Sequence, residues 1–197
     1  MSLKKVAVIF VEGATDKEFY IQLAAEIRKE NGGSLDCDVE IINLAGIGHY
    51  KNYALRKFEN EIKPKYKEAK ISVALCFDTD VFEYGKVPPV NMKKVAKSLK
   101  EAGASFVTEV KAVRSIEDWF LYDADGLREF LKLDKKTVIQ PHSGTSGLER
   151  LFKKAGKTYI KGGKCKGLIE SLNMDKIYPH IKGEIDGIYR ILCVKKK

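Results

Sequence analysis

This sequence predicts an α/β fold with a mostly parallel sheet, on three observations. Four short apolar runs, at 6–11, 38–44, 70–77 and 105–110, have the length and side-chain type of strands. Segments whose apolar residues recur at helical spacing separate them. The first and third runs are apolar almost throughout, which suits strands covered on both faces, as in a parallel sheet. The resulting order, β-α-β-α-β-α-β, is the alternation expected of helices packed on such a sheet.

The first strand, Val-Ala-Val-Ile-Phe-Val, stops abruptly at Glu12-Gly13. A helix follows. Thr15 and Glu18 have the T-x-x-E spacing of a capping box, Phe19, Leu23 and Ile27 share one face, and Gly32-Gly33 supplies the stop. The second strand runs into Ala45-Gly-Ile-Gly48, whose glycines suit a tight turn, and then into a helix over 50–62. The third strand ends in Asp78-Thr-Asp80; a helix over 90–102 and the fourth strand complete the alternation. Beyond Lys111 the pattern turns helical. Ser115 to Leu121 and 125–133 read as short helices, and Ser146-Gly-Leu-Glu149 offers a second capping box for a helix running to Ala155. Ile181, Ile185, Ile188 and Leu192 keep helical spacing, with Pro179 marking a start or a break. The chain therefore divides into a core over 1–112 and a mostly helical C-terminal extension over 113–197, packed together as one structural unit.

With 197 residues and 44% hydrophobic content the chain can bury one sizeable core. Its formal net charge of +9 favours an anionic partner such as nucleic acid, although a solvated lysine-rich surface accounts for the charge equally well. Lys195-Lys196-Lys197 reads as a solvated end. Cys37, Cys76, Cys165 and Cys193 never approach C-x-x-C spacing, and two of them sit in apolar segments, which argues for a reducing compartment without structural zinc. His49, His142 and His180 show no metal spacing. With no secretory h-region and no apolar run as long as a membrane span, the expectation is a cytoplasmic protein with no membrane partner.

The chemistry concentrates where strands end in acids. Ligands of open α/β sheets bind outside the carboxyl ends of the strands. If the first and third strands are parallel neighbours, Glu12, Asp78 and Asp80 converge on one edge, the two aspartates roughly 6–7 Å apart by strand rise. Carboxylates so crowded need a cation or protons, and hard oxygen ligands select Mg²⁺ or Mn²⁺. Taken singly, each acid is also what a turn or an exposed strand end provides. Lys157, Lys161, Lys164 and Lys166, interleaved with Gly162-Gly163 and Gly167, form a basic loop suited to phosphates or simply to solvent. Arg114 is a further candidate for nucleic-acid contact.

An apolar strand, Glu-Gly, x-x-Asp, a helix and a later strand ending in D-x-D together resemble the Toprim family. Val113-Arg-Ser-Ile-Glu-Asp-Trp-Phe-Leu-Tyr-Asp123 and Lys157-Thr-Tyr-Ile-Lys-Gly-Gly163 extend the resemblance to small stand-alone Toprim proteins related to OLD (overcoming lysogenization defect) nucleases. The resemblance implies a Toprim-like Rossmannoid core, with Glu12 as metal ligand or general acid/base and Asp78 and Asp80 as ligands. Asp16 either faces a second ion or serves the helix dipole, and Glu117 is an extra ligand. Lys161 would contact phosphate at the catalytic centre. Asp118 is read as a capping or solvent-facing residue and Asp123 as the N-cap of the next helix. The implied activity is hydrolysis of phosphodiester bonds of DNA, or of RNA, with one or two Mg²⁺ or Mn²⁺ ions, in phage defence or DNA repair. The alternatives are a non-catalytic nucleic-acid-binding module acting with a partner protein, and a ribonuclease that processes structured RNA. No G-x-x-x-x-G-K-[ST] is present, so an ATPase partner would be a separate polypeptide; a homodimer is compatible with the pattern.

Overall fold

The computed structural model describes residues 3–83, 88–163, 165 and 167–192. Its centre is a four-stranded, all-parallel sheet in the order β2-β1-β3-β4. The strands are β1 (Lys5–Val11), β2 (Asp38–Asn43), β3 (Lys70–Asp78) and β4 (Phe106–Ala112). The α/β class read from the sequence is the class observed. From β1 the chain steps outward to β2, then crosses back to β3 and continues to β4. The direction of travel therefore reverses between β1 and β3, and a parallel sheet opens a crevice at its carboxyl edge where that happens. The acids Glu12 and Asp78 to Asp80 stand at this reversal.

Strand alternation divides the apolar residues between two cores. Val6, Val8, Phe10, Val73, Leu75 and Phe77 face one side. There they meet α2 (Tyr53–Lys57), a π turn (Phe58–Ile62) and, beyond the exposed α3 (Lys63–Lys65) and then α4 (Asp80–Glu83), α5 (Met92–Glu101). The single helix expected over 50–62 is thus a 3₁₀ turn (Ile47–Lys51) followed by this compound rod.

Ala7, Ile9, Val11, Ala74, Cys76, Val110 and Ala112 face the other side. α1 (Ala14–Glu30) brings Phe19, Leu23 and Ile27 to that core, as its spacing predicts, and lies along β2. The rest of the face is covered by the C-terminal helices α6 (Ile116–Phe120), α7 (Ala124–Leu131), α8 (Gly144–Lys154), α9 (Leu168–Ser171), α10 (Met174–Ile181) and α11 (Asp186–Ile191). Trp119 of α6 packs on Phe19 with ring centroids 5.6 Å apart, and its Nε1 donates to Glu184 at 3.2 Å. No helix among the described residues is long and apolar enough to cross a membrane.

Three local expectations are overturned. α1 starts at Ala14, with Gly13 as N-cap, so Thr15 already lies inside the helix and its hydroxyl donates to the Gly163 carbonyl instead of closing a capping box. α8 starts at Gly144, which places Ser146 and Glu149 within the helix, and the Gly144 amide donates to Asp118 at 2.6 Å. At both starts a distant segment takes the first helical amide, since the Ala14 N–H donates to the Gly162 carbonyl at 3.3 Å as the Gly144 N–H does to Asp118. Pro179 lies inside α10, as neither a start nor a break at that residue. Asp123 does cap α7, accepting from the Gly126 amide at 3.1 Å.

α11 crosses β4 at Gly187, where an added Cβ would stand 2.9 Å from both Thr108 Oγ1 and Val110 Cγ2. Both neighbours are β-branched strand residues with little rotameric freedom. Gly187→Ala should therefore cost about 1–3 kcal/mol, the range for overpacking. That lowers the melting temperature by roughly 2–4 °C per kcal/mol in a chain of this size. A melting temperature equal to wild type by calorimetry would show that α11 is not seated on the sheet.

Candidate functional site

Two strand ends are tied together by one of the acids. Glu12 Oε1 accepts the Asp78 N–H at 2.9 Å, and the Glu12 carbonyl accepts the Gly46 N–H at 2.8 Å. Asp78, only 4% exposed, accepts the Ile116 N–H at 2.9 Å through Oδ1. That amide opens α6, so a negative group is favoured there. Asp78 Oδ2 and Asp80 Oδ2 share the Lys161 ammonium, at 3.0 Å and 2.7 Å. Asp80 Oδ1 is buried with no hydrogen-bond partner among the described residues.

Asp16, in the first turn of α1, and Glu117, in α6, line the same cleft. Glu117 is 2% exposed and held at both oxygens, by the Tyr159 hydroxyl at 2.9 Å and the Thr145 hydroxyl at 3.2 Å. The cleft has a volume of about 550 Å³, and Asn43, Ala45, Gly46 and Ile47 also line it.

Lys161 reaches the acids because its loop is fastened to the start of α1. The Gly162 carbonyl accepts the Ala14 N–H at 3.3 Å, and the Gly163 carbonyl accepts the Thr15 hydroxyl. Gly162 turns with φ +73°, a conformation glycine adopts without strain. Gly13 is required on the other side of this contact. A Cβ there would stand 2.8 Å from Asp16 Oδ2 and 3.0 Å from Gly162 Cα, so the Glu-Gly pair is an acid followed by the residue that lets the lysine loop approach.

Burial sets the electrostatics. It pushes the Glu12 carboxyl up to about 7, partly offset by the Asp78 amide and reinforced by Asp16. Asp16 is pushed up to about 6 by burial and then by Glu117. Asp78 is raised well above the usual carboxylate range by burial, which the Lys161 ammonium only partly offsets. For Lys161 burial acts against the charged form, but Asp78, Asp80 and Glu117 outweigh it and its pKa is raised. Burial thus favours the protonated form of Glu12, Asp16 and Asp78, and the Lys161 ammonium offsets this only in part.

Glu12, Asp16, Asp78, Asp80, Glu117 and Lys161 are thus brought together. Arg114 stands at the rim with φ +65°, its Nε 3.5 Å from Asp118 Oδ2. Its backbone is bonded to Thr79 and Asp80, at 2.7 Å and 3.0 Å. Lys157 is placed elsewhere, its ammonium 5.0 Å from the centre of the Phe130 ring. Lys164, Lys166, Cys193 and the lysines at 195–197 lie outside the described residues. Asp118 is buried and caps α8, which excludes the solvent-facing alternative. Sequence reasoning missed Thr145 and Tyr159 as the groups that hold Glu117. Tyr159 sits within Lys-Thr-Tyr-Ile-Lys-Gly-Gly, so a signal for it existed; Thr145 had none.

The donors suit a hard divalent cation in chemical type, being anionic oxygens. Asp80 Oδ1, buried and unpartnered, is an oxygen that such an ion would take up. Among the described residues no three His, Cys, Asp or Glu side chains stand in a ready-made ion cage; the Lys161 ammonium lies between Asp78 and Asp80.

Two variants test this balance in metal-free buffer. Folded Glu12 keeps its proton up to about pH 7, whereas its ordinary value is 4.5. Its contribution to stability is therefore fully present at low pH and falls as pH rises between those values; Asp16 acts with the same sign between 3.8 and about 6. Glu12→Gln keeps the acceptor for the Asp78 amide and removes the titration. Its melting temperature should exceed wild type by a few degrees near pH 8 and match it near pH 4; the reverse order would mean that the fold favours ionised Glu12. Lys161→Met should destabilise more near pH 8 than near pH 5, because protons replace the lost cation at low pH. An equal loss at both would show that Lys161 contributes packing alone. No protein-family model, curated protein or solved structure matches this chain.

Proposed function

We propose that this chain is a divalent-metal-dependent nuclease of Toprim type that hydrolyses phosphodiester bonds in DNA or RNA. One arrangement supports the reading. Acids from three separate segments, the ends of β1 and β3 and the start of α6, meet a lysine at the point where the sheet reverses direction.

Glu12, Asp78 and Asp80 would hold an Mg²⁺ or Mn²⁺ ion, with Asp16 and Glu117 placed for a second. Such an ion, when bound, polarises a phosphoryl oxygen and acidifies a coordinated water. The chain's own residues do the rest. Lys161, which lines the cleft, offers its ammonium to the negative charge of a phosphate bound there. Glu12, fixed through Oε1 by the Asp78 amide, leaves Oε2 for an ion or for the proton of an attacking water. Glu117, locked by Tyr159 and Thr145, keeps its position as charge moves nearby. Arg114 at the rim meets the phosphate backbone on either side of the scissile bond. Nucleic acid is the partner this reading requires, and an ATPase is a further candidate partner.

Purified protein should cleave duplex DNA, single strands or folded RNA when Mn²⁺ is added and lose that activity in excess chelator. Asp78→Asn and Asp80→Asn should each lose at least about a hundredfold, given that even outer-sphere partners of metal ligands cost 10- to 100-fold. Cleavage at wild-type level by both variants would assign the activity to a contaminant. Salt-sensitive binding with no turnover under any divalent ion would make the chain a binding module instead.

A further inference from the structure

The turn after β2, which lines the cleft, carries a second feature. Gly46 and Ile47 line the cleft, and the 3₁₀ turn Ile47–Lys51 and α2 continue outward from them. On the inner side of this segment Tyr50 and Ala54 are fully buried. The Tyr50 hydroxyl shares its one proton between the Phe10 carbonyl, at 3.1 Å, and the Cys76 carbonyl, which bolts the turn to β1 and β3. On the outer side three flat groups lie together around Tyr53. The His49 ring centroid is 5.5 Å away at 34°, and the Arg56 guanidinium is 5.5 Å from the ring centre. His49 is held by its Nδ1–H, which donates to the Leu44 carbonyl at 2.7 Å.

This outer cluster has no part in the core. Tyr53 is 44% exposed, while Tyr50 and Ala54 supply the packing. The segment is also purely cationic: no acid occurs from Leu44 to Phe58, whereas Lys51, Arg56 and Lys57 all do. Of these, Lys57 is taken by Glu61 at 2.7 Å, and Lys51 and Arg56 are exposed. Aromatic rings beside exposed cations on a rigid support are what single-stranded nucleic acid recognises, because an unpaired base offers a ring face and its phosphate a charge. In a duplex the base faces are already stacked on one another.

We infer that Tyr53, with His49 and Arg56, is a stacking platform for an unpaired base, and that it feeds a single strand along Lys51 and Gly46 into the carboxylate cleft. The inference deepens the nucleic-acid reading of that cleft and rests on it. The turn is fixed from within by Tyr50, so the platform is formed before the strand arrives, and little ordering cost is left for binding.

Fluorescence anisotropy in chelator, with labelled oligothymidylate, oligouridylate and a duplex, separates the possibilities without any catalysis. Tyr53→Ala should weaken single-strand binding by about 5- to 150-fold, the range for one base–aromatic stack, and leave duplex binding unchanged. Tyr53→Trp should restore it, and Arg56→Gln should flatten the salt dependence by about one phosphate contact. Three results would overturn the inference: Tyr53→Ala binding single strands as wild type does; equal losses on single strand and duplex; or wild-type protein binding neither, which would leave the patch to a protein partner. Tyr53-dependent binding without Mn²⁺-dependent cleavage would sink the nuclease reading and leave the platform standing. Cleavage that needs Asp78 but ignores Tyr53 would do the opposite.

Discussion

Carboxylates gathered at one edge of a sheet repel each other unless a cation stands among them, and Lys161 is a cation that this fold delivers there. Much of the surrounding structure follows from that delivery. The lysine arrives on a loop whose carbonyls are taken by the first residues of α1, and the loop can come so close only because residue 13 lacks a side chain. The same loop carries Tyr159, which holds Glu117 in place. Counter-charge and acids are thus contributed by segments distant in the chain. A fragment limited to 1–112 would have four of the five acids, at and just beyond the strand ends, and neither the lysine nor the buried face that supports it.

Topology explains why the acids meet at all. β1 and β3 are distant in sequence but hydrogen-bonded neighbours, and the loops that leave them diverge because the chain turns back between them. Asp78 then joins three elements at once. Its amide goes to Glu12, one carboxylate oxygen to the opening amide of α6, and the other to Lys161. A residue so committed is buried at a cost that only its partners offset, which is why its carboxyl is raised despite the adjacent ammonium.

The strands and the acids at their ends were legible in the sequence because both signals are local: apolar runs of strand length, and a change to acid within one residue. The helical face of Phe19, Leu23 and Ile27 was legible for the same reason. What escaped depends on which distant segment docks where. Thr15 and Ser146 have the spacing of capping residues, yet the Gly163 carbonyl and the Asp118 carboxylate determine what those helix starts do. Among the lysines of the basic loop, composition cannot distinguish Lys161, which turns to Asp78 and Asp80, from Lys157, which turns to Phe130. Thr145 shows the limit most plainly. A lone threonine in a polar stretch becomes a partner of a buried glutamate only after α8 has packed on α6.

The docking of late residues on early ones also governs when the molecule becomes complete. Thr15 waits for Gly163, 148 positions further on, and Glu30 for Tyr189, 159 positions further on. Contacts of such long range form slowly, since the loop entropy of closing them must be met before they stabilise anything. During synthesis the sheet can therefore assemble with one face covered by α1 alone, the rest exposed to aggregation until the last helices leave the ribosome. The acids acquire their lysine only at that late stage, so the cleft is among the last parts of the molecule to mature.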